Sequence, residues 1–177
     1  LKNLKDNSEK YSDFCKFAIV RNSWDYAFSV FKNKVVIDTV ATSWNEGLDW
    51  DNMVNELTTR SNFLFFIKNL QTEYRTICSD FFFYANGNVP LDQQVYFCDK
   101  NMNSFADHIL RFESLDEDLK KISSIINIDL SKMPRLNESS PKNSKMNYVD
   151  FYDDEARDIV SRIFARDIDR FNFKFGH

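Results

Sequence analysis

Four consecutive apolar residues, Phe17-Ala18-Ile19-Val20, end abruptly on Arg21 and pass within two residues into a helical pattern. This junction constrains the fold more than any other part of the chain. A strand with one wet face alternates apolar and polar residues, whereas an unbroken apolar run predicts a strand covered on both faces, as in parallel sheets flanked by helices. The segment that follows, NSWDYAFSVFKNK, spaces Trp24, Phe28 and Phe31 onto one helical face, expected to be core rather than a cofactor platform. Asn22 or Ser23 can cap this helix, Asp25 suits its first turn, and Lys32 and Lys34 are expected in its last. In layered α/β sheets ligands gather outside the carboxyl ends of the strands, and Arg21 stands at such an end.

The strand-then-helix order recurs in DHILRFESLDEDLKKISSIINI. A short strand over His108 to Phe112 is expected, then a helix with Glu117 and Asp118 in its first turn. Between these two strand-then-helix segments, DWDNMVNELTTR (49–60) predicts an amphipathic helix, and residues 61–88 are aromatic-rich and predicted irregular, with a turn at Asn86-Gly87. MPRLNESSPKNSKMN is a polar loop. YDDEARDIVSRIFARDIDRFNFKF predicts one long helix with an apolar stripe of Ala156, Ile159, Val160, Ile163, Phe164 and Ile168. Together these segments predict an α/β layered domain with a mainly parallel sheet flanked by helices.

With 177 residues, 43% hydrophobic and 16% aromatic, the chain can fill one core, so a single domain over 1–177 is expected. A formal net charge of −4 gives no overall attraction to nucleic acid or anionic lipid. An anionic ligand therefore needs a local cluster of Arg and Lys. Cys15, Cys78 and Cys98 are widely spaced and odd in number, which predicts reduced thiols and neither a disulfide framework nor a metal site. No apolar run reaches the roughly 18 residues of a membrane span. The opening LKNLKDNSEKYSDF has no initiator Met and no first strand, so a chain entered partway through is expected.

The chemistry concentrates at Arg21. A helix N-terminus presents backbone N–H groups and the positive end of the helix dipole, which suit a phosphate. An Arg just before it adds a forked, permanently charged donor. Ser29, two turns further on, projects a hydroxyl that could reach the same anion. From the residues alone a second account stands beside this one: an ion pair of Arg21 with Asp25 or with a carboxylate at the sheet edge.

FAIVRNSWDYAFSVF resembles the segment of PAPS-dependent sulfotransferases that binds the 3′-phosphate of the donor, with Arg21 and Ser29 at the positions of the two phosphate ligands. HILRFESLDEDLKKI is similar to that family's strand and helix around Arg-Phe-Glu. PRLNESS followed by YVDFYDDEARDIVSRIFARDIDRFNFKF resembles the C-terminal pattern of its membrane-associated and bacterial carbohydrate types. The resemblance covers most of the chain from Phe17 onward. It implies a three-layer, P-loop-like fold and transfer of a sulfuryl group from PAPS to a hydroxyl of a carbohydrate or similar acceptor, without a metal. A catalytically inactive relative that binds PAPS or its bisphosphate product is the alternative.

Two positions depart from the family pattern: Ser23 stands for its usual Pro, and Tyr26 for its usual second Arg. The 5′-phosphosulfate loop, a Lys with Gly and Ser or Thr after a first strand, is not found here. It and the catalytic base are expected upstream of Leu1. The resemblance further implies that Lys142 and Lys145 close over the nucleotide, with Arg135, Asn137 and Ser139 contacting phosphate or ordering that loop. It places Gln93 and Gln94 near the acceptor, with Gln94 the candidate contact; an exposed polar loop is the plainer account. His108 is expected to be structural, Glu113 to cap a helix or pair with Arg111, and the DFFFY wall to be core. A cytoplasmic location is expected, or a Golgi-lumenal one given an upstream membrane anchor.

Overall fold

The computed structural model describes residues 12–42, 56–70, 93–99, 101–130 and 146–177. They form a mixed α/β protein, as expected, and group into two compact units. The first holds residues up to Asn22 together with 92–137; the second holds 23–91 together with 138–177.

In the first unit β1 (Phe17–Val20) and β2 (His108–Arg111) pair in parallel, with Phe17 opposite His108 and Val20 opposite Arg111. Parallel strands lack a connecting hairpin to fix their alignment, and here Lys16 and Asp107 supply it from the strand starts. The Lys16 N–H donates to Asp107 Oδ2 at 2.8 Å, the Asp107 N–H donates back to the Lys16 carbonyl at 2.7 Å, and the Lys16 ammonium lies 3.1 Å from the same carboxylate. The Lys16 amide and then its ammonium hold the Asp107 carboxyl below the usual carboxylate range. Coverage of the pair differs from the expectation of two dry faces. Val20 and Leu110 are buried, but Phe17 and Ile19 remain 41% and 47% exposed. Among the described residues α3 (Leu115–Ile126) packs on β2, burying Ile122. It enters through a short 3-10 turn at Phe112–Ser114 and carries Asp116, Glu117 and Asp118 in its first turn, where carboxylates oppose the helix dipole. It stops at Asn127, whose left-handed φ of 54° is one that Asn tolerates better than most residues.

The described residues of the second unit form helices and no strand. α1 (Ser23–Thr42) runs well past the expected stop, so Lys34 is an interior residue and no basic side chain occupies the last turn. The amphipathic helix expected over 49–60 is interrupted in its described part. Glu56 and Leu57 are helical, Thr58 and Thr59 are not, and a new helix α2 (Arg60–Leu70) starts where the expected one would end. Thr59 Oγ1 accepts from the Asn62 N–H at 3.2 Å, the bond of a helix start. α2 also corrects the irregular reading of its segment: Phe63, Phe66 and Ile67 fall at i, i+3 and i+4 and are buried. The turn at Asn86-Gly87 and the DFFFY wall lie outside the described residues.

The long C-terminal helix is two. α4 (Asp154–Ile163), capped by Asp153 on the Ala156 N–H, gives way to α5 (Ala165–Phe171) at Phe164. The ladder survives the bend, because the Phe164 N–H still reaches the Val160 carbonyl and the Ile168 N–H the Phe164 carbonyl. Ala156, Ile159, Val160 and Phe164 of the expected stripe are buried. α1 and α2 both pack on α4. Their shared core is aromatic: Phe63, fully buried, meets Phe28 and Phe31 at ring-centroid distances of 5.5 Å and Tyr152 at 4.7 Å. A second cluster anchors the C-terminus, with Phe175 edge-on to Trp24, Tyr148 and Tyr152 and beneath the Arg157 guanidinium.

Candidate functional site

Because β1 and β2 are parallel and in register, both chains leave the sheet at the same end. Arg21 follows Val20 and Phe112 follows Arg111. Two neighbours of unlike chemistry result: the Arg21 guanidinium carbon lies 4.3 Å from the centroid of the Phe112 ring. A cation over an aromatic face is held by the ring quadrupole. Arg21 is half-buried and Phe112 is 47% exposed, so the pair sits at a surface.

The backbone here has left the ladder, and its polar groups need partners. Side chains supply them. The Arg21 N–H donates to Gln93 Oε1 at 2.8 Å, and Gln93 Nε2 donates to the Arg21 carbonyl at 2.7 Å. One carboxamide thus closes both hydrogen bonds of a single residue, as a neighbouring strand would. At the next residue the buried Asn22 gives its N–H to Glu113 Oε1. Both backbone amides at this strand end are thus occupied by side chains.

Asp118 fixes the corresponding end of β2. Its Oδ2 accepts from the Arg111 N–H at 2.9 Å and from the Ser114 hydroxyl at 3.2 Å, and the Lys121 ammonium lies 2.7 Å from Oδ1. The Arg111 amide foremost, then Lys121, keep the Asp118 carboxyl below the usual carboxylate range.

Arg21 belongs to the first compact unit, at the end of β1; Ser29 belongs to the second, partly exposed two turns into α1. Tyr26 turns its ring edge-on to Phe164 at 5.9 Å, so the position that carries a second Arg in the resembled segment takes part in aromatic packing. Gln93 and Gln94 form a 3-10 turn with Val95 and Tyr96, and both are buried, which corrects the account of an exposed loop. Glu113 is spent on the Asn22 amide, a role its sequence position did not announce. His108 opens β2 and donates its N–H to the Lys16 carbonyl at 3.2 Å. Arg135, Asn137, Ser139, Lys142 and Lys145 lie outside the described residues.

The roles of Gln93, Phe112 and Glu113 escaped the sequence reading. The one signal that could have exposed Phe112 is the parallel register, which sets the residue after HILR beside the residue after FAIV.

Among the described residues no group of His, Cys, Asp and Glu side chains is placed to hold a metal ion, and no helix is long and apolar enough to cross a membrane. Neither the curated proteins nor the solved structures contain a match to the chain. A family model described as sulfotransferase family matches residues 1–174, and the chain belongs to that family.

Proposed function

We propose that this chain binds PAPS through its 3′-phosphate and belongs to an enzyme that transfers the sulfuryl group to a hydroxyl of a carbohydrate-type acceptor. The observation that carries the reading is Arg21: a guanidinium at the carboxyl end of a parallel strand, backed by a ring and followed at once by a helix, within a sulfotransferase-family chain. Its donor set fits a phosphate. The guanidinium can give two parallel N–H bonds to two oxygens of one anion.

Sulfuryl transfer forms a bond from the acceptor oxygen to sulfur, breaks the bond from sulfur to the 5′-phosphate oxygen, and releases adenosine 3′,5′-bisphosphate. By analogy with phosphoryl transfer, the protein chiefly positions the reactants and stabilises charge. Arg21 grips the 3′-phosphate, far along the nucleotide from the reacting sulfur, and so contributes placement. Ser29 is the second candidate ligand, a neutral hydroxyl donor. Asn137, Ser139, Lys142 and Lys145 are further candidate donors, and Gln94 is the acceptor-side candidate. The donor for the leaving 5′-phosphate and the base for the acceptor hydroxyl belong to residues not among these.

Calorimetric titration of adenosine 3′,5′-bisphosphate into the full chain tests the reading. Arg21→Ala removes a charge-assisted bidentate contact and should weaken binding about a hundredfold. Undiminished affinity in that variant would overturn the assignment. Tyr26 favours a second reading, a relative that binds the nucleotide without transferring sulfate, because its ring is committed to Phe164 where the pattern has a second cation. Transfer of labelled sulfate from PAPS to a panel of glycans separates the two: binding without transfer selects the second.

A further inference from the structure

We infer that Gln93 and Phe112 are positioning residues for Arg21, one through its backbone and the other through its guanidinium, and that together they set affinity for the donor's 3′-phosphate. This rests on the reading of Arg21 given above.

An arginine side chain has four rotatable bonds and loses much rotamer freedom when it binds an anion. Affinity gains when that freedom is already spent in the unbound protein. Two separate features do this for Arg21. Gln93 reaches across 72 residues of sequence, is 8% exposed, and closes a two-bond ring on the Arg21 N–H and carbonyl. That ring fixes the point from which the side chain springs, beyond the last strand residue, where β2 has already turned into its 3-10 segment. Phe112 lies under the other end of the side chain.

The chemistry of the pairing is specific to an amide. Gln93 presents one acceptor and one donor in a plane, matching the N–H and C=O of one residue. A carboxylate would set negative charge against the Arg21 carbonyl, an aliphatic side chain would leave two backbone groups unpaired, and Asn is one methylene short. A loop needing only to be tethered could use any contact. A residue that must fix one backbone unit in both its polar groups uses this one.

The test is a double-mutant cycle on the full chain, read by calorimetry with adenosine 3′,5′-bisphosphate. Gln93→Leu should weaken binding about tenfold, the scale of one net hydrogen bond and its ordering. Phe112→Leu should weaken it about two- to fivefold, the scale of an exposed cation–π contact, without moving the thermal midpoint, since Phe112 is 47% exposed. In an Arg21→Ala background both changes should lose their effect on binding. With PAPS as varied substrate, each single variant should raise KM and leave kcat unchanged. If Gln93→Leu fails to fold, the Phe112 arm of the cycle decides alone. Full additivity with Arg21→Ala overturns the inference while leaving the Arg21 site standing. Unaltered binding in Arg21→Ala overturns both.

Discussion

The strand end around Arg21 and the aromatic core around Phe63 are held together in opposite ways. At the strand end the bonds run from side chain to backbone: Gln93 to Arg21, Glu113 to Asn22, Asp118 to Arg111. In the helical unit Phe28, Phe31, Phe63, Phe66 and Phe151 pack ring on ring around a fully buried centre. Apolar packing is non-directional and tolerates small shifts, whereas a carboxamide closing two bonds on one residue fixes that residue to within a few tenths of an ångström. The first arrangement supplies stability, the second supplies position. The proposed anion ligand Arg21 lies in the region built for position.

The largest effect should come from the core. Phe63→Ala removes a ring at 0% exposure and leaves a void that its neighbours cannot all fill. A loss of about 3–5 kcal/mol is expected from chemical denaturation, a large share of the stability of an ordinary domain. A loss below about 1 kcal/mol would show that the rings repack freely, and the contrast with the strand end would fail.

Tyr152 joins the two styles of bonding and sharpens the comparison. Its ring packs on Phe63 and Phe175, and its hydroxyl donates to the Trp24 carbonyl at 2.9 Å. Tyr152→Phe keeps the ring and removes the hydroxyl's bond to a carbonyl that helix α1 still pairs, so about 1–1.5 kcal/mol should be lost, less than for Phe63→Ala. Burial first, then Tyr148 and Asp25, push the Tyr152 phenol well above the ordinary tyrosine range. In an alkaline absorbance titration it should stay protonated until the protein unfolds. Ionisation alongside exposed tyrosines would contradict its burial.

The strand end was far more visible in the sequence than the core. FAIV and HILR each announced a strand, and the acids after HILRFES announced a helix start. α2 was hidden by its own richness: in NFLFFI the buried Phe63, Phe66 and Ile67 are interleaved with Leu64 and with Phe65, which is 73% exposed. An apolar residue on the wet side erases the periodicity that would mark the inner face. The bend at Phe164 was equally hidden, since the apolar stripe and the hydrogen-bond ladder both continue through it. Gln93 left no trace because its partner is a backbone unit, and backbone carries no sequence signature.

The smallest effect belongs to Asp118, and its pH dependence separates positional from packing bonds. Its folded-state carboxyl is held below the ordinary range by the Arg111 amide, Lys121 and Ser114, so its contribution is fully present above the unfolded value of about 3.9 and disappears as the pH falls through the depressed folded value. Its side chain is 16% exposed but its ionic partner Lys121 is 72% exposed, so solvent screens that pair and most of the benefit comes from the Arg111 amide. Asp118→Asn should therefore cost about 1 kcal/mol near neutral pH, a gap that narrows toward zero below about pH 4. Phe63→Ala titrates nothing, so its deficit should stay constant over the same range. An Asp118→Asn deficit equally independent of pH would mean that the carboxylate holds β2 by shape alone, and the distinction between the two regions would lose its electrostatic half.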